Sequence, residues 1–363
     1  MTGNMTDYAV ATGEFIEEWL DDHDMTAAEL ARRTGCSRKH ISTVLAGARV
    51  TPEFASKLEL VTHVPAERWL ALEGQYRADV ERLGLQEKLA GSGELLDSFQ
   101  PSLTVLSKLG IIEGDMRRPG RLMMQLMSFF RVGSPDAMVA RNLIPDVAFL
   151  RSTVLDVNVA SLATWLRLAQ IQAVGEPPTS SYSPSGLQSV LPELRPMSRD
   201  LDTDPAAGVR KLAEVGVRVV LLEEIKGCRA YGATFWDEYG PVVVLSARGK
   251  RDGVLWFTLF HELGHVLLHP RQLFLEDSDD ESTNAEGQEA EANSFATQWL
   301  VPDDRAREAA ALRNEAEVVN FAQEIGVSPG VVMQYLHHHK YWKYWRGQDL
   351  YQRVNLQTIG KTA

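Results

Sequence analysis

The run Val254–Pro270, VLWFTLFHELGHVLLHP, decides how the rest of the chain is read. It holds His261-Glu262-Leu263-Gly264-His265, an H-E-x-x-H spacing inside an almost wholly apolar stretch. On a helix, residues i and i+4 share a face one turn apart, so His261 and His265 can grip one metal ion. Glu262 projects beside them, where it can take a proton from a water polarised by that metal. Leu259, Phe260, Leu263, Val266 and Leu267 bury such a helix on most sides. Three polar side chains left unpartnered there would cost several kcal/mol, roughly the scale for buried unpaired groups. A zinc ion removes that cost. Chance occurrences of the motif are known, but Pro270 ends this helix and a strand-like run precedes it, which a chance match does not require.

Two histidines leave a zinc site incomplete, because a third protein ligand and an open position are needed. The segment 276–292, EDSDDESTNAEGQEAEA, is strongly acidic and runs into an amphipathic helix expected over Glu289–Leu300. Glu286, Glu289 and Glu291 are all candidates for the third ligand, and spacing does not choose among them. His269 continues the i, i+4 series, but three side chains along one straight helix cannot converge on a tetrahedral ion. It is read as a group behind the ligands or on the substrate side. Tyr231, Arg248 and His269 are the candidates for stabilising an oxyanion. Upstream, Val217–Leu222, Ala230–Phe235 and Pro241–Leu245 read as short strands, an α+β pattern with a small sheet. Pro241–Leu245 is expected to be the edge on which an extended peptide lies.

A chain of 363 residues has room for two or three domains, and 44% hydrophobic with 24% charged residues is ordinary for a globular protein. No apolar run approaches the ~20 residues of a membrane span, and the start shows no secretory leader pattern. Cys36 and Cys228 stand far apart with no metal-type cysteine partner, which fits a reducing cytoplasm. The net charge of −12 argues against broad attraction to nucleic acid, so any DNA contact must come from a local basic face.

Such a face lies near the N-terminus. Glu14–Leu20 reads as a helix, and Thr26 with Glu29 opens a second as a capping box. Gly35 turns the chain, and Ser37 caps a third helix running to Gly47. This is helix-turn-helix spacing. Arg38, Lys39, Ser42 and Thr43 would face a major groove, while Arg32, Arg33 and Arg49 would meet phosphates. The plainer reading is a helical bundle with solvated arginines. Residues 81–185 read as further helices with no catalytic pattern, a connecting or sensing region by elimination. Near the C-terminus, Phe321–Leu336 repeats the spacing of Leu30–Leu45 without a Lys or Arg in its turn or second helix, so docking is expected of it rather than DNA contact. Trp342, Tyr344 and Trp345 are expected to dock the tail, and His337–His339 to form a solvated end.

Two resemblances sharpen this reading. WFTLFHELGHVLLH followed by EAEANSFATQWLVP resembles the ImmA/IrrE family of metallopeptidases over about residues 190–305. The resemblance implies a gluzincin-type, zincin-like α+β domain with His261, His265 and Glu291 on zinc and Glu262 as general base. It also implies cleavage of a transcriptional repressor or antitoxin. LAGARVTPEFASKLELVTHVPAERWLALEGQY resembles the HigA-type branch of the lambda-repressor-like (XRE) family over about residues 10–80. That implies a five-helix domain and dimeric, sequence-specific binding to a double-stranded operator. The expected chain is therefore multidomain and mainly α. It would hold a DNA-binding domain (10–80), a helical middle (81–185), a metallopeptidase domain (190–305) and a docking segment (306–363). It is expected to be a cytoplasmic homodimer with no membrane role, cutting its target in trans or itself in cis. The rival reading is an antitoxin-like autoregulator whose peptidase fold only senses or scaffolds.

Overall fold

The computed structural model describes residues 7–139, 158–175, 178–199, 206–246, 248–276 and 287–355. Glu286 and most of the acidic run lie outside them. The chain divides into two compact units, residues 1–98 with 106–135 and residues 99–105 with 136–363.

The first unit is helical. It begins with α1 (Thr12–Asp22), α2 (Ala27–Thr34), α3 (Arg38–Leu45), α4 (Pro52–Thr62) and α5 (Ala66–Leu89). The Thr26 hydroxyl accepts from the Glu29 amide at 3.2 Å, but the Glu29 carboxylate does not complete the capping box. It turns instead to Arg32 and Arg33. Gly35 ends α2 in the left-handed region (φ 66°), and Ser37 accepts from the His40 amide to start α3. Ile16, Leu30, Ile41, Val44, Leu58 and Trp69 form the buried core of these five helices. Buried Glu73 on α5 accepts from Thr12 on α1 and from Arg77, which also donates to the Gly47 carbonyl just past α3. The start of α1 and the end of α3 are thus tied to one point on α5. Position 80, the expected domain boundary, falls inside α5. Then come α6 (Gly93–Ser98), α7 (Gln100–Lys108), whose residues are divided between the two units, and α8 (Pro119–Phe130). The last helix packs on α5 at Gly120, where a Cβ would overlap the Gln86 carbonyl.

The second unit begins with α9 (Pro135–Val139), α10 (Val159–Gly175), α11 (Pro184–Leu194) and α12 (Ala207–Glu214). Its sheet consists of β1 (Arg218–Leu221), β2 (Gly232–Asp237), β3 (Gly240–Leu245) and β4 (Phe274–Glu276). The strand order is β1-β3-β2-β4, with β1 parallel to β3 and the other pairs antiparallel. This overturns one expectation: Pro241–Leu245 lies inside the sheet, not at its edge. Its unbroken apolar run is what a strand needs when neighbours cover both faces. The edge next to the helix of the H-E-x-x-H run is β4, three residues too short to read from sequence.

Across the sheet lies α13 (Asp252–Leu268), the helix of the H-E-x-x-H run, followed by α14 (Gln288–Leu300), α15 (Ala306–Ala311), α16 (Glu315–Ile325) and α17 (Pro329–His338). Leu255, Phe260, Leu263 and Val266 of α13 share one core with Ala296 and Leu300 of α14 and with Val331, Val332 and Leu336 of α17. Two glycines set the closest approaches. A Cβ on Gly264 would come within 3.3 Å of Ala292 on α14, and one on Gly253 would overlap the Gly330 carbonyl on α17. The tail is only partly as expected. Trp342 is buried and donates to the Leu312 carbonyl, but Trp345 is 74% exposed. His337 is not solvated; it is buried between the Tyr351 hydroxyl and the Arg346 carbonyl. Among the described residues, no helix is long and apolar enough to cross a membrane.

Candidate functional site

Helix α13 carries His261, Glu262 and His265 into the interior, where each is at most 1% exposed. The His261 and His265 Nε2 atoms face each other at 3.0 Å. A Glu289 carboxylate oxygen from α14 lies 3.2 Å from the first and 3.5 Å from the second. These three residues are the group of His, Cys, Asp and Glu side chains, among those described, that could hold a metal ion. The fit is close. Ligands about 2.0–2.1 Å from a tetrahedral zinc are about 3.3–3.4 Å from one another.

The electrostatics suit a cation. Burial pushes the His265 imidazole below its usual pKa, toward the neutral form that ligates metals. Burial alone would raise the Glu289 carboxyl, but hydrogen bonds with His261 and His265 hold it down to about 2. The histidine–glutamate contacts would be ion pairs only if the rings were protonated, and burial opposes that at His265.

Glu291, which the family resemblance assigned to the metal, lies elsewhere. Its carboxylate pairs with His269 at 3.1 Å and its side chain is 65% exposed. Helix phase explains the difference. Ala292, Ala296 and Leu300 bury one face of α14 against the core, and Glu289 and Asn293 adjoin that face while Glu291 points off it. Asn293 accepts from His261 Nδ1 at 2.9 Å, which directs that ring's Nε2 to the cluster. Asn293 was missed in the sequence, although its i, i+4 spacing from Glu289 was visible there.

Glu262 faces the sheet. Its Oε2 accepts from Thr234 Oγ1 at 2.6 Å, and a Cβ on Gly232 would sit 2.6 Å from its Oε1. Both residues are on β2, two apart and so on one face. Thr234 pairs across the strands with Phe274 of β4, whose ring stacks on His265 at 4.0 Å. One cross-strand pair thus touches both the glutamate and a histidine. Of the oxyanion candidates, His269 is hydrogen-bonded to His265. Arg248 stacks over Tyr231 at 4.9 Å and pairs with Glu224.

In the first unit, Arg38, Lys39, Ser42, Thr43 and Arg49 are exposed. Arg32 and Arg33 are exposed too, but both bind Glu29, at 2.5 and 2.6 Å, and hold its carboxyl down to about 2. Their charge is therefore shared with an acid just upstream of the basic run.

The two buried histidines of α13 and the half-buried Glu289 of α14 thus form, over a small mixed sheet, a group that could hold a metal ion. Residues 214–337 match the family model described as the IrrE N-terminal-like domain, Peptidase_M78, a metallopeptidase type. The match runs through α17. No curated protein matches the chain.

Proposed function

We propose that the chain is a DNA-binding regulator whose second unit is a zinc-dependent endopeptidase that cuts a transcriptional repressor or antitoxin, in trans or within its own chain. The observation that carries the reading is the convergence of His261, His265 and Glu289 beside Glu262, inside the stretch that matches a metallopeptidase family. In this reading the ligands are His261 and His265 through Nε2 and Glu289 through its carboxylate. The chemistry gained from a zinc ion there is Lewis acidity toward a water and a peptide carbonyl. Glu262 takes the water's proton at Oε1, the oxygen other than the one Thr234 holds, and passes it to the leaving amine. Phe274 and Asn293 keep the two rings turned to the cluster. An extended substrate would add to the outer edge of β4, alongside His265.

The DNA half rests on the exposed face of α3 and on the glycine turn and serine cap that present it. A homodimer would set two such helices on a palindromic operator. The repressor or antitoxin substrate and the cytoplasmic setting rest on the family resemblance and the sparse cysteines.

Elemental analysis of the purified chain tests the peptidase half. About one zinc per chain is expected, lost in Glu289→Ala. A wild-type chain that stays metal-free after zinc is supplied would leave the regulator with a scaffold in place of an enzyme. In cells, Glu262→Gln should let the target repressor accumulate.

A further inference from the structure

We propose that His269 and Glu291 form an anchoring chain behind His265, setting the metal affinity of the cluster without touching the ion. The proposal rests on the metal-site reading above. Its starting point is a run of contacts leading outward from the cluster. His265 Nδ1 lies 2.9 Å from His269 Nδ1, and His269 Nε2 lies 3.1 Å from the Glu291 carboxylate.

One set of protons satisfies the whole run. His265 turns Nε2 to the cluster, so that nitrogen must offer a lone pair and the ring proton sits on Nδ1. His265 then donates to His269 Nδ1, which leaves the second proton on His269 Nε2, donating to Glu291. The chain ends on a carboxylate, so both imidazoles are polarised toward it and His265 Nε2 becomes the better donor to a cation.

The fold accounts for His269 standing behind the site rather than in it. Helix α13 ends at Leu268, and His269 caps it in an extended conformation (φ −114°, ψ 163°). Its side chain is 2% exposed. Phe274 lies against both rings, 4.0 Å from His265 and 5.4 Å from His269. The other ligand is anchored differently, since His261 meets the neutral amide of Asn293 directly. Helix α14 therefore supplies a ligand and both anchors from the five residues Glu289–Asn293. Glu291 has a role at the site through His269, not on the metal.

The test measures zinc affinity of the full chain by competition with a chelator, with cobalt absorption as a report on ligand geometry. Glu291→Gln should weaken zinc binding by roughly 10-fold and His269→Ala by up to roughly 100-fold. The thermal midpoint of the metal-free Glu291→Gln protein should stay at the wild-type value, and the cobalt spectrum of His269→Ala should change. His269→Gln, whose amide can accept from His265 and donate to Glu291, should recover most of the affinity. Adding Glu291→Gln to His269→Ala should weaken binding no further, because the glutamate acts through the histidine. Wild-type affinity in Glu291→Gln, or additive losses in the double variant, would overturn the proposal while leaving the metal site standing. Complete loss of metal in Glu291→Ala with retention in Glu289→Ala would make Glu291 the ligand and overturn it too. A wild-type chain that binds neither zinc nor cobalt would sink the metal reading itself.

Discussion

Two helix pairs in this chain have the same local geometry and opposite surroundings. In the first unit α2 ends at Gly35 (φ 66°, ψ 24°) and Ser37 caps α3. In the second, α16 ends at Gly326 (φ 75°, ψ 35°) and Ser328 caps α17. Ala31, Ile41 and Leu45 correspond to Ala322, Val332 and Leu336. The outer faces differ. Arg38, Lys39 and Ser42 are exposed, whereas of the matching Pro329, Gly330 and Met333 the first is half-buried and the other two are buried. Gly330 fits against the Asp252 carboxylate at the start of α13, where a Cβ would overlap it. The same turn presents a basic surface in one unit and supports helix α13 in the other. A backbone motif fixes how two helices meet, and its outer side chains decide whether that face meets solvent or core.

The largest expected difference between the pairs is in their tolerance of charge. Met333→Asp places a carboxylate in the core of α13 and α17 and should cost about 4 kcal/mol or more, read as loss of the second unit's denaturation transition. Ser42→Asp, at the matching exposed site, should change stability by less than about 0.5 kcal/mol while weakening DNA binding. Similar stability losses at both positions would end the contrast.

Next in size is the effect of the basic face. Arg38→Ala with Lys39→Ala should lower operator affinity by roughly 2–6 kcal/mol, the range for two lost base contacts, with little change in folding. Retained binding in a salt-matched shift assay would remove the role assigned to α3.

The smallest difference concerns the two caps. Ser37→Ala should cost about 1 kcal/mol, a lost N-cap. Ser328 caps α17 and also donates to buried Asp252 at 2.6 Å, so Ser328→Ala should cost more, about 1–3 kcal/mol. Burial raises the Asp252 carboxyl above its usual range, against the hydrogen bonds from Ser328 and the Gln352 amide that lower it. The folded chain therefore holds this proton more tightly than the unfolded one. The group's contribution is favourable at low pH and is lost as pH rises from the ordinary carboxylate value through the raised one. Ser328→Ala should raise that value further and extend the loss to higher pH, measured as urea midpoints at rising pH. An unchanged pH range of the loss would show that the Ser328–Asp252 bond carries none of this dependence.

Much of this was legible in the residues because it is local. The glycine turns, serine caps and paired histidines depend on spacing along one helix, and the structure has each where the spacing puts it. Other features were legible only in part. Pro241–Leu245 has the unbroken apolar run of an interior strand, yet its place depended on β4, whose three residues form a strand only by pairing with β2. For the acidic helix, the sequence allowed Glu286, Glu289 and Glu291 alike; the resemblance implied Glu291, whereas in the structure Glu289 adjoins the histidine pair and Glu291 adjoins His269. Glu289 meets that pair because Ala292 and Phe295 pack against Gly264 while Ala296 is buried in the core, which fixes the rotation of α14.

By itself, then, the sequence determined the helix with two histidines and a glutamate in register, the two capped turns, and the concentration of basic residues on α3. Hydrogen bonds and side-chain periods within a few residues dictate these. Only the tertiary structure decided which glutamate joins the histidines, which strand borders them, and which of two alike helices is exposed. Those outcomes depend on how helices rotate and approach when distant segments share one core, a long-range packing energy that no short stretch encodes.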